Sequence, residues 1–310
     1  MLHVAAIGEC MVELRHRDEQ LLELGFAGDS FNTALYMARC NQRERLTVDY
    51  VTALGSDPYS EAMLRSWREE GIGTGAVALL PGKLPGLYLI RTDPAGERHF
   101  FYYRSAAAAR ELFRDPVTDP LLAALSAYDV LYFTAITLSI LDGSARERFR
   151  TALAAARGAG RLVVFDSNYR PTGWTDAAAA RATIAPFLDI VGLVLPTFED
   201  EQALWGDATP ADTLARYAAG KTEVCVKRGG EGCVLGDGTL VPVPQRIAPV
   251  DTTAAGDAFN AAYLTARLSG RSPAEAAHAG HILAGAVIQH KGAIMPKNAP
   301  IPSFPGCDAV

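Results

Sequence analysis

A chain of 310 residues, 49% hydrophobic and 21% charged, carries enough apolar content to bury a large core, which excludes a disordered or fibrous protein. Its net charge of −6 comes from acids and bases mixed along the chain without a basic stripe, so nucleic acid is not an expected partner. No apolar stretch approaches the roughly 18 residues of a membrane span, so no membrane association is expected either.

The opening segment MLHVAAIGECMVEL lacks a basic region and meets acids at Glu9 and Glu13, unlike a signal peptide. The five cysteines (Cys10, Cys40, Cys225, Cys233 and Cys307) are scattered, with no C-x-x-C pair and no zinc spacing. They read as reduced thiols in a cytoplasmic protein, Cys10 and Cys225 serving as small core residues within strand-like runs.

Short apolar runs recur at Val4 to Ile7, Val130 to Phe133, Leu162 to Phe165, Val191 to Leu195 and Val224 to Val226, the form taken by buried parallel strands. Alanine-rich segments with helical spacing, such as Ser144 to Ala156 and Asp176 to Leu188, lie between them. This alternation predicts one α/β domain over residues 1–310, built on a doubly wound, mostly parallel sheet flanked by helices. Two stretches alternate with a period of two instead. Leu14 to Phe26 is the weaker, and Leu87 to Arg104 is the stronger, with Asp93-Pro94-Ala95-Gly96 as a hairpin turn. They predict a small antiparallel sheet from about 10–26 and 85–105 that stands off the main body as a lid.

Asp251-Thr252-Thr253-Ala254-Ala255-Gly256-Asp257 runs directly into a helical pattern in which Phe259, Tyr263 and Ala266 share a face and Gly270 marks the end. A helix N-terminus offers unpaired N–H groups and partial positive charge to a phosphoryl group. Asp257 beside it is either a helix cap or a general base acting on an alcohol; two threonines, Asp251 and three small residues are more than a cap needs.

The segment DTTAAGDAFNAAYL resembles the C-terminal signature of the PfkB (ribokinase-like) carbohydrate kinases, and within that family the kinases of 2-dehydro-3-deoxygluconate (KDG). Ala254 stands where the usual signature has glycine. Ile7-Gly8-Glu9, Phe26 to Ala34, Phe101 to Arg104, Asp166 to Arg170, Leu195-Pro196-Thr197, Val226 to Gly232 and Lys291-Gly292-Ala293 follow in the family's order. The resemblance implies transfer of the ATP γ-phosphoryl group to KDG, giving the 6-phosphate. Asp257 would be the base, with the amides of Ala254, Ala255 and Gly256 stabilising the transferred charge. Alternatives are a family kinase for fructose, ribose or a nucleoside, or a sugar-binding regulator on the same fold.

Under that resemblance Gly28, Asp29 and Asn32 would contact sugar hydroxyls, although Asp29 alone could be a cap. Arg104 and Arg170 would hold the substrate carboxylate, with Tyr88 and Tyr102 lining the sugar pocket. On a strand Tyr102 and Arg104 share a face that Tyr103 does not, as an exposed ladder would also have. Asn168, Lys227, Gly229, Gly230, Gly232 and Gly256 would serve ATP, although GGEG is also a turn sequence. Mg2+ would accompany ATP. The family's Asn-x-x-Glu is here Thr197 and Asp200, so Asp200 is the metal candidate, through water. The resemblance also admits a monovalent cation, and a homodimer covering the lid sheet is expected.

Overall fold

The computed structural model describes residues 1–41, 45–93, 98–114, 116–218, 222–304 and 306–307. Among them, nine strands form one sheet. Its centre is β1 (Leu2–Ile7), flanked on one side by β4 (Leu46–Leu54) and β5 (Val77–Leu79). On the other side lie β8 (Val130–Thr134), β9 (Leu162–Asp166), β10 (Leu193–Val194) and β11 (Glu223–Lys227), all parallel to it. Two short antiparallel strands, β12 (Cys233–Leu235) and β13 (Leu240–Val241), complete that edge. The five predicted apolar runs are β1, β8, β9, β10 and β11. The strand β4 was not anticipated, because LTVDYVTAL interrupts its apolar run with Thr47, Asp49 and Thr52.

Strand β1 is apolar throughout its core because both its faces are covered. Val4 and Ala6 face one apolar cluster, Ala5 and Ile7 the other. The first cluster lies beneath α1 (Asp29–Cys40), α2 (Pro58–Glu69), α9 (Ala255–Leu268) and α10 (Pro273–Val287). There Trp67 sits edge-on to Tyr50, with ring centroids 5.1 Å apart. The second lies beneath α5 (Gly143–Gly158) and α6 (Ala177–Leu188), which match the predicted helices and are capped by Asp142 and Asp176. All five cysteines are buried.

The two period-two stretches form a separate sheet in the order β3 (Leu22–Ala27), β2 (Met11–His16), β6 (Leu87–Thr92), β7 (Arg98–Tyr103). Each hairpin is antiparallel, but the central β2/β6 pair runs parallel, since the chain traverses the main sheet between them. Of the expected hairpin turn, Pro94, Ala95 and Gly96 lie outside the described residues. No described helix is long and apolar enough to cross a membrane.

Phe149 on α5 stacks on Phe113 with centroids 5.0 Å apart and meets Phe133 edge-on at 5.3 Å. Phe149→Ala is expected to cost about 3–5 kcal/mol of stability. Urea unfolding with an unshifted midpoint would refute this.

Candidate active site

The carboxyl ends of the parallel strands open into a cavity of about 880 Å3. Asp29 enters it from the first turn of α1, whose cap position is held by Gly28. Asp29 therefore does not cap the helix; its carboxylate accepts hydrogen bonds from Thr134 Oγ1 at 2.6 Å and Asn168 Nδ2 at 2.8 Å. Gly28 is required by close approach, because a Cβ there would run into the Glu9 carbonyl.

Asp257 enters the same cavity from the first turn of α9, whose cap is Ala254 with no side-chain bond. The cap reading of Asp257 is thus not what the geometry shows. Its carboxylate instead accepts a hydrogen bond from Asn32 Nδ2 at 2.8 Å. Burial pushes the Asp257 carboxyl up to about 8, with Asp29 and Asp166 adding to the shift and the Asn32 hydrogen bond and Lys227 opposing it. A third carboxylate, Asp166 at the end of β9, accepts from Asn260 Nδ2 at 2.6 Å and from Lys227 Nζ at 3.1 Å. Each of the three acids is therefore served by the amide of an asparagine from another element.

A second cavity, about 670 Å3, is lined by Gly229, Gly230 and Gly232. Gly232 has φ +91°, and a Cβ there would strike the Val241 carbonyl. The two cavities share Thr197, Lys227, Thr252, Ala255 and Gly256. The turn before α9 is therefore the wall where they meet. Ala254 sits in the left-handed region at φ 61°, the conformation for which glycine is the ordinary choice. The Ala255 amide returns to the Thr252 carbonyl at 3.2 Å, so the donors presented outward from the first turn are those of Gly256 and Asp257.

The lid supplies the opposite wall of the larger cavity. Tyr88 and Tyr102 line it with ring centroids 5.8 Å apart, while Tyr103 points away and is 65% exposed, as the strand alternation predicts. The Tyr88 hydroxyl donates to Glu13, and Arg104 is ion-paired with the buried Glu9. Arg170 reaches the cavity and pairs with Asp200 at 3.1 Å. The two arginine candidates thus already have carboxylate partners, and Arg170 is held by the metal candidate itself.

Asn168, expected at the nucleotide phosphates, lies instead in the larger cavity against Asp29. The end of β9 opens beside the start of α1, away from the glycine turn. Lys227 lies between the cavities with its ammonium bonded to Asp166 and Asn260. Sequence reasoning missed Glu9, Thr134, Asp166 and Asn260 as site residues, along with the Val243 to Pro249 wall of the second cavity. That wall is a proline-rich tract without a chemical signature.

The sequence matches the pfkB family carbohydrate kinases over residues 1–300. The 2-dehydro-3-deoxygluconokinase of Dickeya dadantii is 42% identical over 304 residues, covering 96% of this chain and 98% of that one. Its counterpart from Escherichia coli K12 is 41% identical with the same coverage. Among solved structures, the 2-dehydro-3-deoxygluconokinase of Thermotoga maritima has a TM-score of 0.83 at 20% identity, covering 95% of this chain and 94% of that one. An ATP-bound fructokinase from Xylella fastidiosa has a TM-score of 0.78 at 21% identity, covering 94% and 93%. These two share the fold; the sequence match through residues 1–300 and the two relatives above establish that the chain belongs to the PfkB family of carbohydrate kinases.

Proposed function

We propose that this chain transfers the γ-phosphoryl group of ATP to 2-dehydro-3-deoxy-D-gluconate, giving the 6-phosphate. The observation that carries the reading is the junction of the two cavities. Asp257 faces the larger one within a helical turn of the residues shared by both. ATP would occupy the glycine-lined cavity with its γ-phosphate at the Gly256 and Asp257 amides, and the sugar acid would lie between Asp29 and the lid. Asp257 takes the proton of the attacking hydroxyl, and the first turn of α9 stabilises the charge transferred. The relatives named for this activity support the substrate class.

Mg2+ bound to ATP would neutralise the triphosphate. Asp200 and Asp166, both lining the larger cavity, would hold it through water, and no cluster of three or more His, Cys, Asp or Glu forms a cage among the described residues. ATP supply and the free thiols of Cys10, Cys40, Cys225 and Cys233 suit a cytoplasmic setting. Two copies would pair through the outer face of the lid. There Leu24, Leu14, Leu89 and Phe101 align across all four strands, and Leu24 and Phe101 are each 50% exposed.

Asp257→Asn should lower kcat by at least about 100-fold while ATP still binds. A variant retaining half the wild-type kcat would remove Asp257 from the chemistry. Because the folded carboxyl titrates above its unfolded value, its stabilising contribution is full at low pH and lost as pH rises toward 8. The melting temperature of Asp257→Asn relative to wild type should therefore increase from about pH 4 to about pH 8 and level off above it. An unchanged difference would show that the carboxyl is not shifted.

Arg104→Ala should reduce kcat/KM for the sugar acid by about 1–3 kcal/mol. Made in a Glu9→Gln background, it leaves no buried carboxylate behind, so the loss reports substrate recognition. Equal losses on a neutral hexose would assign Arg104 to lid structure alone.

Leu24→Glu should convert a dimer to a monomer in light scattering. A wild-type chain that is already monomeric would refute the pairing.

A further inference from the structure

Arg98 opens β7 on the lid and lines neither cavity. Its guanidinium nevertheless crosses to the segment that leads into α9, where Nη1 meets Asp251 Oδ1 at 2.5 Å and also donates to the Thr253 hydroxyl. Asp251 is a junction in its own right. Its Oδ1 accepts from the Thr253 amide at 2.8 Å, and its Oδ2 accepts from the Gly292 amide at 2.8 Å beyond the end of α10. Burial alone would raise this carboxyl, but the Gly292 and Thr253 donors and Arg98 together hold it below its ordinary value. The carboxylate is thus charged and fixed, with the lid arginine as its ionic partner.

Ala254, the residue immediately after Thr253, is the one in the left-handed conformation. An alanine there costs about 1–2 kcal/mol relative to ordinary backbone, and such strain persists only where neighbouring contacts over-determine it. The contacts bracketing Thr253 are those of Asp251 and Arg98. We propose that Arg98 is a positioning residue for phosphoryl transfer. By clamping Asp251 and Thr253 from the lid it holds Ala254 left-handed, and so aims the Gly256 and Asp257 amides at the transferred group.

This couples the state of the lid to the geometry of the anion site. With the lid over the sugar, the turn is set for transfer. With Arg98 withdrawn, Ala254 is free to relax and the amides swing off target. The inference rests on the reading of that turn as the phosphoryl site, and Asp257→Asn tests that reading separately.

Arg98→Ala should lower kcat about 10- to 100-fold, the scale on which small misplacement of reacting groups acts, while KM for ATP and for the sugar acid each change less than about threefold. Ala254→Gly in the Arg98→Ala background should recover a substantial part of kcat, because glycine adopts the left-handed conformation without the clamp. Millimolar guanidinium should also raise the rate of Arg98→Ala, where equal sodium chloride does not. Arg98→Lys, which keeps the charge, guards against a variant that fails to fold; it should retain intermediate kcat. An Arg98→Ala kcat within twofold of wild type, a loss confined to KM, or an Ala254→Gly addition that recovers nothing would each overturn the proposal. Loss of kcat in Asp257→Asn alongside a normal Arg98→Ala would sink only the clamp.

Discussion

Three carboxylates, Asp29, Asp166 and Asp257, converge at the ends of the central strands with Lys227 among them, and the rest of the site is arranged around that repulsion. Buried acids this close need compensating donors, and here each receives an asparagine amide at 2.6–2.8 Å. The donors come from α1, from the turn after β9 and from α9. The charge problem is therefore solved between elements rather than within any one of them. Asp29 and Asp166 each have a second side-chain donor, Thr134 and Lys227, which Asp257 lacks among the described residues, and burial pushes the Asp257 carboxyl up to about 8. A group poised near neutral pH is suited to exchanging a proton.

The lid has two chemically distinct faces. Toward the cavity it presents Glu13, Tyr88 and Tyr102, paired across β2, β6 and β7; away from it the same strands present leucine and phenylalanine. One period-two pattern therefore serves a polar pocket and an apolar outer surface at once. Arg98 adds a third connection by tying the end of β7 to the loop before α9.

Arg104 and Arg170 show how a site can be charged without being empty of partners. Arg104 lies against Glu9 and Arg170 against Asp200, so an incoming carboxylate would share or exchange an existing ion pair. Burial raises the Glu9 carboxyl despite its arginine. That pair has an imperfect balance, and a second anion on Arg104 would alter it. Selection for an acid over a neutral sugar would then reflect the difference between two ion pairs rather than a single attraction.

The sequence by itself determined five of the parallel strands, the period-two small sheet and the turn into α9, because each is written in short-range spacing. Strand β1 carries an uninterrupted apolar run from Val4 to Ile7, Tyr102 and Tyr103 alternate across β7, and the small residues before Asp257 precede a helical face. Only the tertiary structure decided that Asn168 serves Asp29, that Asp29 and Asp257 are not caps, and that Arg104 and Arg170 are already paired. Those contacts join residues 95 to 139 positions apart in the cases of Arg104 with Glu9 and Asn168 with Asp29. They depend on which loops converge at the sheet's carboxyl edge, and no local pattern encodes that. The left-handed Ala254 belongs to the same class: an alanine in sequence gives no sign of positive φ, and the conformation exists because α9, the Asp251 junction and the lid meet around it.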